Sequence, residues 1–550
     1  MDDMKTDRDA DIIVVGSGSG GSVVAGRLAR ETDARILVIE AGGSDRNPLF
    51  HVPMMTGILL RGRYANWYYH TEPEPGLDGR RLFWPRGKVL GGSSSINGMV
   101  WTRGLPTDYH GWAQRGLNEW SWDKVLAAYR RIERHWGGES DVHGGSGSQP
   151  LSTLTEINPL SEAFLKAGQE AGYPLSSDFN GPEPDGVGRY DFTISNGRRV
   201  SAARAYLVPE MVRDNLTVLT GALTTRVLVE KGRAVGVEVV KGGSRLVCRA
   251  NREVVLCGGT VNTPQLLMLS GIGPADALSR LGIEVVADLP GVGKNLQDHV
   301  LVRVEYDCTK PVTLHRLLRF DRAAAALIRA IATGTGPAAR FPLEAGAFLK
   351  SGLDPEMPDL QAHFLPGRST ATVRLPFATK TGDRGHGFFA NIYQMRPESR
   401  GEITLKSADP LAAPAITGNY LTEERDIVVL REGVKRLREI FAQPAFDPWR
   451  GEECGPGAHV TSDADLDSWI RATADTVFHP VGTCKMGTDA MAVCDGRLLV
   501  HGVERLRIAD ASAMPAMTSC NTHAPTMLIG SRAADFIRED LPSGSRREAA

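Results

Sequence analysis

Three stretches of this chain carry residue types at spacings that can do chemistry. The first, Asp11–Glu40, contains D-I-I-V-V, then G-S-G-S-G-G, then S-V-V-A-G-R-L-A-R, and ends in R-I-L-V-I-E. An apolar run meets a glycine-rich turn, a helical pattern follows, and a second apolar run closes on an acid. Gly16 permits a tight turn out of the first strand. Gly18 has no side chain, so a pyrophosphate can approach the backbone, and Gly21 lets the helix pack closely on the strand. The free N–H groups at the helix start suit phosphate oxygens. Glu40 stands about twenty residues on, where a carboxylate accepts hydrogen bonds from a ribose hydroxyl. The pattern alone fits FAD and NAD equally.

The second stretch, Trp84–Gly104, reads W-P-R-G-K-V-L-G-G-S-S-S-I-N-G-M-V-W-T-R-G. Its glycine density is incompatible with a plain helix or strand. Backbone that lies against a flat ligand, with N–H and hydroxyl donors aimed at it, accounts for both the glycines and the serines. The third is the C-terminal block T-V-F-H-P-V-G-T-C-K-M-G, L-R-I-A-D-A-S-A-M-P and S-C-N-T-H-A-P-T-M-L-I-G. His479 precedes a proline, which places it on an extended or turn segment. Such a histidine is open to chemistry, although a lone histidine is more often structural.

The elements that must position these residues are legible in outline. The 550 residues exceed one ordinary core and predict two domains or one elaborated domain. Hydrophobic residues at 42% and charged residues at 23% are those of a globular protein, and a net charge of -2 argues against a nucleic-acid surface. The seven cysteines show no C-x-x-C spacing and no zinc pattern, which predicts free thiols and a reducing compartment; metal ligands are not expected. The polar start M-D-D-M-K-T-D-R-D-A-D lacks a signal-peptide layout, and no run of eighteen apolar residues occurs, so a cytoplasmic location is the expectation. Helices are predicted in 107–135, 159–172 and 422–446, and from 201. A strand at 215–220 and a hairpin around K-G-R lead to a buried strand at 252–259 and a helix from Thr260 to the stop at Pro274. That late strand–glycine–helix turn predicts a return to the first sheet. Residues 344–420 alternate with period two and predict a β-rich domain. The arginine- and alanine-rich segment 311–340 has the composition of a membrane-surface helix, a lid, or a solvated surface helix.

Taken together, these stretches resemble the glucose–methanol–choline (GMC) family of FAD-dependent oxidoreductases, nearest its choline dehydrogenase-like branch. The likeness runs from Asp11 to about Ile537. The glycine turn resembles the family's dinucleotide fingerprint. Gly87–Gly104 and Gly259–Pro274 resemble its two signatures, and the H-P-V-G-T-C-K-M-G and N-T-H-A-P-T-M-L-I-G runs resemble its active-site block. The resemblance implies an α/β plus α+β fold: a discontinuous Rossmann-like FAD domain (9–157, 200–310 and 471–540), a substrate-domain or cap excursion (158–199), and a substrate domain (311–470) built on an antiparallel sheet backed by helices. It implies cofactor contacts from Gly16, Gly18, Ser19, Gly21, Glu40 and Ala41. Lys88, Val89, Gly92, Ser93, Asn97 and Gly98 lie by the same likeness along the flavin and pyrophosphate. Val227 is then near the adenine, with Asp510, Ala511 and Asn521 near the flavin.

The family's catalytic pair carries over onto His479 and Asn521. The alcohol O–H donates to His479, which takes its proton, hydride passes from the carbinol carbon to flavin N5, and Asn521 holds the oxygen. Glu344 and His363 fall near the pocket, each as a substrate contact or as ordinary packing. Two departures stand out. Ile96 occupies the place of the histidine that links FAD in some members, so non-covalent FAD is expected. Leu343 stands where choline oxidases carry a tryptophan, which weakens an aromatic cage for trimethylammonium. The expected partners are a small-molecule alcohol and, as electron acceptor, oxygen or a quinone-type carrier. A non-redox flavoprotein such as a hydroxynitrile lyase is the alternative. The alcohol, the acceptor and the oligomeric state are not readable in the sequence.

Overall fold

The computed structural model describes residues 6–542 apart from 155, 355 and 376–384, together with residue 545. The first five residues of the polar start, and 376–384 within the expected β-rich segment, therefore lie outside the described residues. In chain order the principal elements are β1 (Thr6–Val15), α1 (Ser19–Glu31), β2 (Ile36–Glu40), α2 (Pro159–Glu170), β3 (Gly186–Arg189), β4 (Leu216–Thr220), β5 (Ala222–Glu230), β6 (Arg233–Lys241) and β7 (Ser244–Leu256). They continue with α3 (Gly259–Leu269), β8 (Val300–Cys308), α4 (Phe320–Thr333), β9 (Ala345–Leu349), β10 (Leu360–Leu365), β11 (Gly387–Gln394), α5 (Glu424–Phe441), β12 (Arg450–Gly455), β13 (Leu506–Ile508) and α6 (His523–Asp540).

Two sheets organise the chain. In the first, the order is β4-β2-β1-β7-β6-β5, with β13 beside β7. The β4, β2, β1, β7 and β13 pairings are parallel, and β5, β6 and β7 form an antiparallel meander. Every residue of β2 is buried, as a strand covered on both faces requires. The predicted return to this sheet is β7, which pairs with β1 in parallel from Val247 to Leu256. Both strands are longer than their apolar runs suggest, because the polar residues at their outer ends pair at the rim.

The second sheet has the order β12-β8-β11-β10-β9-β3, extended by Leu175–Ser176 and by Asp475–Thr476. Its long central pairs are antiparallel, and α2 and α5 pack against it. One expectation is corrected here: β8, within the 200–310 stretch read as FAD domain, is a central strand of the second sheet. Its alternation V-L-V-R-V-E-Y-D-C matches an antiparallel strand, and its partners are β11 and β12. The segment from 201 forms a π-turn and a 3-10 turn over 203–212 rather than an α-helix. In the arginine-rich segment, α4 buries Ala326 and Ala330 beside Val52 and leaves Phe320 and Ile328 exposed. Among the described residues, no helix is long and apolar enough to cross a membrane, and the seven cysteines are free thiols.

Candidate active site

A cavity of about 610 Å³ draws its walls from both sheets, the Gly87–Gly98 strap and the starts of α1, α3 and α6. That volume is in the range of small-molecule sites. Fifteen of the residues expected at the site line it: Gly16, Gly18, Ser19, Glu40, Ala41, Lys88, Gly92, Ser93, Asn97, Gly98, His363, His479, Asp510, Ala511 and Asn521.

The glycine turn divides its labour. Gly16 has φ +100°, and a Cβ there would stand 2.4 Å from the Cys257 carbonyl oxygen, so this glycine is demanded by the protein's own backbone. A Cβ on Gly18 would meet no protein atom within 4 Å. Gly21 lies outside the cavity wall; its backbone packs where a Cβ would be 2.0 Å from the Gly16 oxygen. No side chain caps α1, and its first intrahelical bond runs from Ser22 N–H to Gly18 O. The three preceding N–H groups therefore lack intrahelical acceptors and suit an anion. Glu40 accepts hydrogen bonds from Ser17 N–H (3.0 Å), Ser17 Oγ–H (2.6 Å) and Gly42 N–H (2.7 Å). Burial pushes its carboxyl up against the pull of those donors.

The strap folds back on this turn. A Cβ on Gly87 would stand 2.3 Å from Gly92, and one on Gly92 2.8 Å from the Gly18 Cα. Ile96 lines the cavity. Val89 does not: it is buried with Phe50, Leu59 and Ile96 in a separate apolar cluster. Asp510 ties its own turn to α3, accepting from Gly259 N–H and Thr263 Oγ–H of that helix and from Ser512 N–H. The residues present fit a dinucleotide: an uncapped helix start, open space at Gly18, an acid at the end of β2, and a buried His523 Nε2 on the wall with no partner among the described residues.

Two further expectations are corrected. Val227 does not line the cavity. It is 1% exposed in the core and its N–H donates to Ser270 Oγ, while Ala222, Leu223 and Thr224 of the same strand form the wall. Glu344 also lies off the wall. Its carboxylate accepts from Asn158 N–H (2.6 Å) and Ser161 Oγ–H (2.8 Å) at the start of α2, where a negative charge opposes the helix dipole favourably. Its neighbours Phe341 and Leu343 line the cavity instead.

His479 sits on an extended segment, as the following proline requires. Its N–H donates to Asp298 Oδ1 (2.8 Å), and Phe478 before it is held at φ +66° with its N–H on Thr476 Oγ1. Asp298 also accepts from Tyr420 O–H and Thr476 Oγ–H. The ring hydrogens can then be assigned. His299 Nε2 lies 3.0 Å from the Met395 carbonyl, so it is the donor there; its Nδ1 is left as acceptor, 3.0 Å from His479 Nδ1. His479 therefore carries its hydrogen on Nδ1 and presents a lone pair at Nε2. That lone pair faces Asn521 Nδ2 at 3.1 Å. The Asn521 amide is oriented from the other side: Oδ1 accepts from Thr102 Oγ–H (3.1 Å) and Gln361 Nε2–H (3.3 Å).

Burial holds the three clustered histidines neutral. It lowers His299 to about 4 and His363 to about 3, and it takes His479 well below 6.5, reinforced by His299, His363 and Arg86. His363 Nε2 and Tyr393 Oη are hydrogen-bonded at 3.2 Å. Asp298, His299, Thr102, Gln361 and Tyr393 were not among the residues singled out from sequence. The one visible signal was N-L-Q-D-H, a polar run at the head of an apolar strand.

The chain is similar to known proteins over nearly its whole length. Two models described as GMC oxidoreductase match residues 10–301 and 397–530. An oxygen-dependent choline dehydrogenase of Pseudomonas syringae pv. syringae is 44% identical over 548 residues, covering 98% of this chain and 95% of the relative. One from Brucella anthropi is 44% identical over 536 residues, covering 97% and 96%. The solved pyridoxine 4-oxidase from Mesorbium loti superposes with a TM-score of 0.86 at 32% identity, covering 96% of this chain and 98% of that one. A formate oxidase variant from Aspergillus oryzae gives 0.90 at 29%, covering 98% and 99%.

Proposed function

The chain belongs to the GMC oxidoreductase family, FAD-dependent enzymes acting on CH–OH donors, and on that premise we propose that His479 is the base that takes the alcohol proton. The observation that carries this reading is the unprotonated His479 Nε2 facing Asn521 Nδ2 at 3.1 Å on the cavity wall. An alcohol oxygen that inserts here exchanges this contact for two: its O–H donates to His479 Nε2, and Asn521 Nδ2–H donates to the oxygen. His299 keeps the Nδ1 hydrogen in place throughout. The proton moves to Nε2 as the carbinol carbon becomes a carbonyl carbon and the O–H grows acidic. A positioned base of this kind contributes about 10²–10⁴-fold.

Bound FAD supplies the hydride acceptor at this site. Ser19 and the uncapped start of α1, Glu40, the strap from Lys88 to Gly98, Asp510 and Ala511 would hold it. Ile96 offers no nucleophile, which supports non-covalent binding. The cavity wall includes the uncharged Phe341, Leu343, His363 and Asn391 together with Arg86, the cation whose field reaches His479. An uncharged alcohol suits that wall better than a quaternary ammonium. Electrons leave to oxygen or to a quinone-type carrier. The relatives named above are dehydrogenases and oxidases, and no observation favours the non-redox alternative. The free thiols suit a reducing compartment such as the cytoplasm.

The test is an anaerobic visible spectrum titrated with choline and with uncharged primary, aromatic and polyol alcohols. Bleaching of the flavin band by an uncharged alcohol, abolished in His479→Ala with FAD retained, is the expected result. Unchanged bleaching in that variant removes His479 as the base. Acid precipitation should release all the flavin; a yellow pellet contradicts non-covalent binding.

A further inference from the structure

His523, the first residue of α6, is unused by the reaction described above. The residue is buried, with 8% of its surface exposed. Nδ1 lies 2.9 Å from Ser19 Oγ at the first position of α1. Trp101 meets the ring edge-on, with centroids 6.0 Å apart. Nε2 is buried with no partner among the described residues, on a residue that lines the cavity together with Thr522 and Thr526. A buried polar atom left unpaired is destabilising, so a completed site supplies its partner.

Two helix starts meet at this point. Neither α1 nor α6 has a side-chain cap; Ser19 and His523, the first residues of the two helices, are in contact, and further along α6 a Cβ on Gly530 would stand 2.5 Å from the Gly20 oxygen. Two helix N-termini side by side make a region of positive potential that favours an electron-rich acceptor. With such an acceptor bound, Ser19 Oγ–H donates to Nδ1, and the ring offers its hydrogen from Nε2.

We propose that His523 is a further FAD ligand, its Nε2–H donating to an acceptor oxygen of the bound cofactor, with Ser19 fixing the ring. The acceptor chemistry is shared by the pyrophosphate and the flavin carbonyls. The inference rests on the cavity being the FAD site; failure of that assignment would show as purified protein without flavin, before any variant is made.

The experiment compares holoenzyme with His523→Leu and His523→Gln, reading FAD release rate by fluorescence, the flavin absorption spectrum and the midpoint potential. His523→Leu should release FAD about tenfold faster, the loss of one hydrogen bond, and His523→Gln, which keeps a donor, should recover most of it. A lowered midpoint potential alongside assigns the contact to the flavin ring; faster release with an unchanged potential and spectrum assigns it to the pyrophosphate. If FAD does not dissociate, the potential and spectrum decide alone. Thermal melting of the flavin-free proteins separates a packing role: the leucine variant should melt no lower than wild type. Unchanged release, spectrum and potential in His523→Leu overturn the proposal, as does a leucine variant whose only defect is a lower melt.

Discussion

The ring of His143 lies between two carboxylates, and this arrangement dictates a pH dependence. Nδ1 is 2.9 Å from Glu133 and Nε2 is 2.8 Å from Asp178. Both partners are acceptors, so the ring must be an imidazolium to satisfy them. Glu133 is fully buried, with Trp101 Nε1–H and Arg103 on its other oxygen. Burial lowers the ring's affinity for its proton, but the two carboxylates outweigh it and raise His143 from 6.5 to about 9. The folded value lies above the unfolded one. The stabilisation is therefore complete below about pH 6.5 and is lost as pH rises through about 9. The shift corresponds to about 3 kcal/mol, or about 2 kcal/mol once solvent screening is allowed for. The assay is hydrogen exchange of the amides in 101–103, 133–143 and 178–180, from pH 6 to 10, corrected for intrinsic rates. In wild type, protection in these segments should fall by roughly tenfold or more above pH 8, and in His143→Gln it should be lower at pH 6.5 and flat thereafter. Parallel profiles in the two proteins would refute the reasoning. Because Thr102 in this segment fixes the Asn521 amide, the alkaline loss should also slow flavin reduction.

The remaining predictions concern the cavity itself. Gly18→Val should fold and melt normally but purify poor in flavin, since its side chain meets only open space; Gly16→Ala, which drives a Cβ into the Cys257 carbonyl, should lower stability itself, and thermal melting with FAD content distinguishes the two. His299→Leu strips the acceptor from His479 Nδ1–H and should slow anaerobic flavin reduction about 10–100-fold with FAD content unchanged; an unaltered rate would dismiss the tautomer assignment. Burial keeps His479 unprotonated from neutrality into acid, so the pH profile of kcat/KM should show no acid limb near 6.5 and should fall only well below it.

Most of the scaffold was legible because its signals are local. The period-two runs at Leu360–Leu365 and Gly387–Gln394 are strands, and the glycines between Val15 and Ser22 mark the turn they form. What escaped is non-local. Residues 244–250, broken by Arg245 and Arg249, show no clean alternation, and they read as strand only once Val239, Val240 and the backbone of β1 are seen to pair with them. Glu344 falls near the pocket by likeness, as substrate contact or packing, and packing is the outcome: adjacent residues on an extended segment face opposite ways, and its carboxylate is turned to the start of α2 while Leu343 lines the cavity. Val227 was placed at the adenine by likeness alone, and the bond to Ser270 that holds its N–H is not visible in one dimension. His299 had no motif of its own; its role appears only when Met395 and His479 are brought to either side of it.

The abutment of Gly20 on Gly530 has a consequence for biosynthesis. Residues that open the first sheet and residues more than five hundred positions later form one wall, and β13 joins the sheet only after β7. A ribosome still translating Leu506–Asp540 holds a nascent chain whose dinucleotide cradle lacks a side, however well its early β-α-β unit has folded. Cofactor capture is thus a late event in maturation. Slow elongation would expose that half-built cavity to proteases for longer.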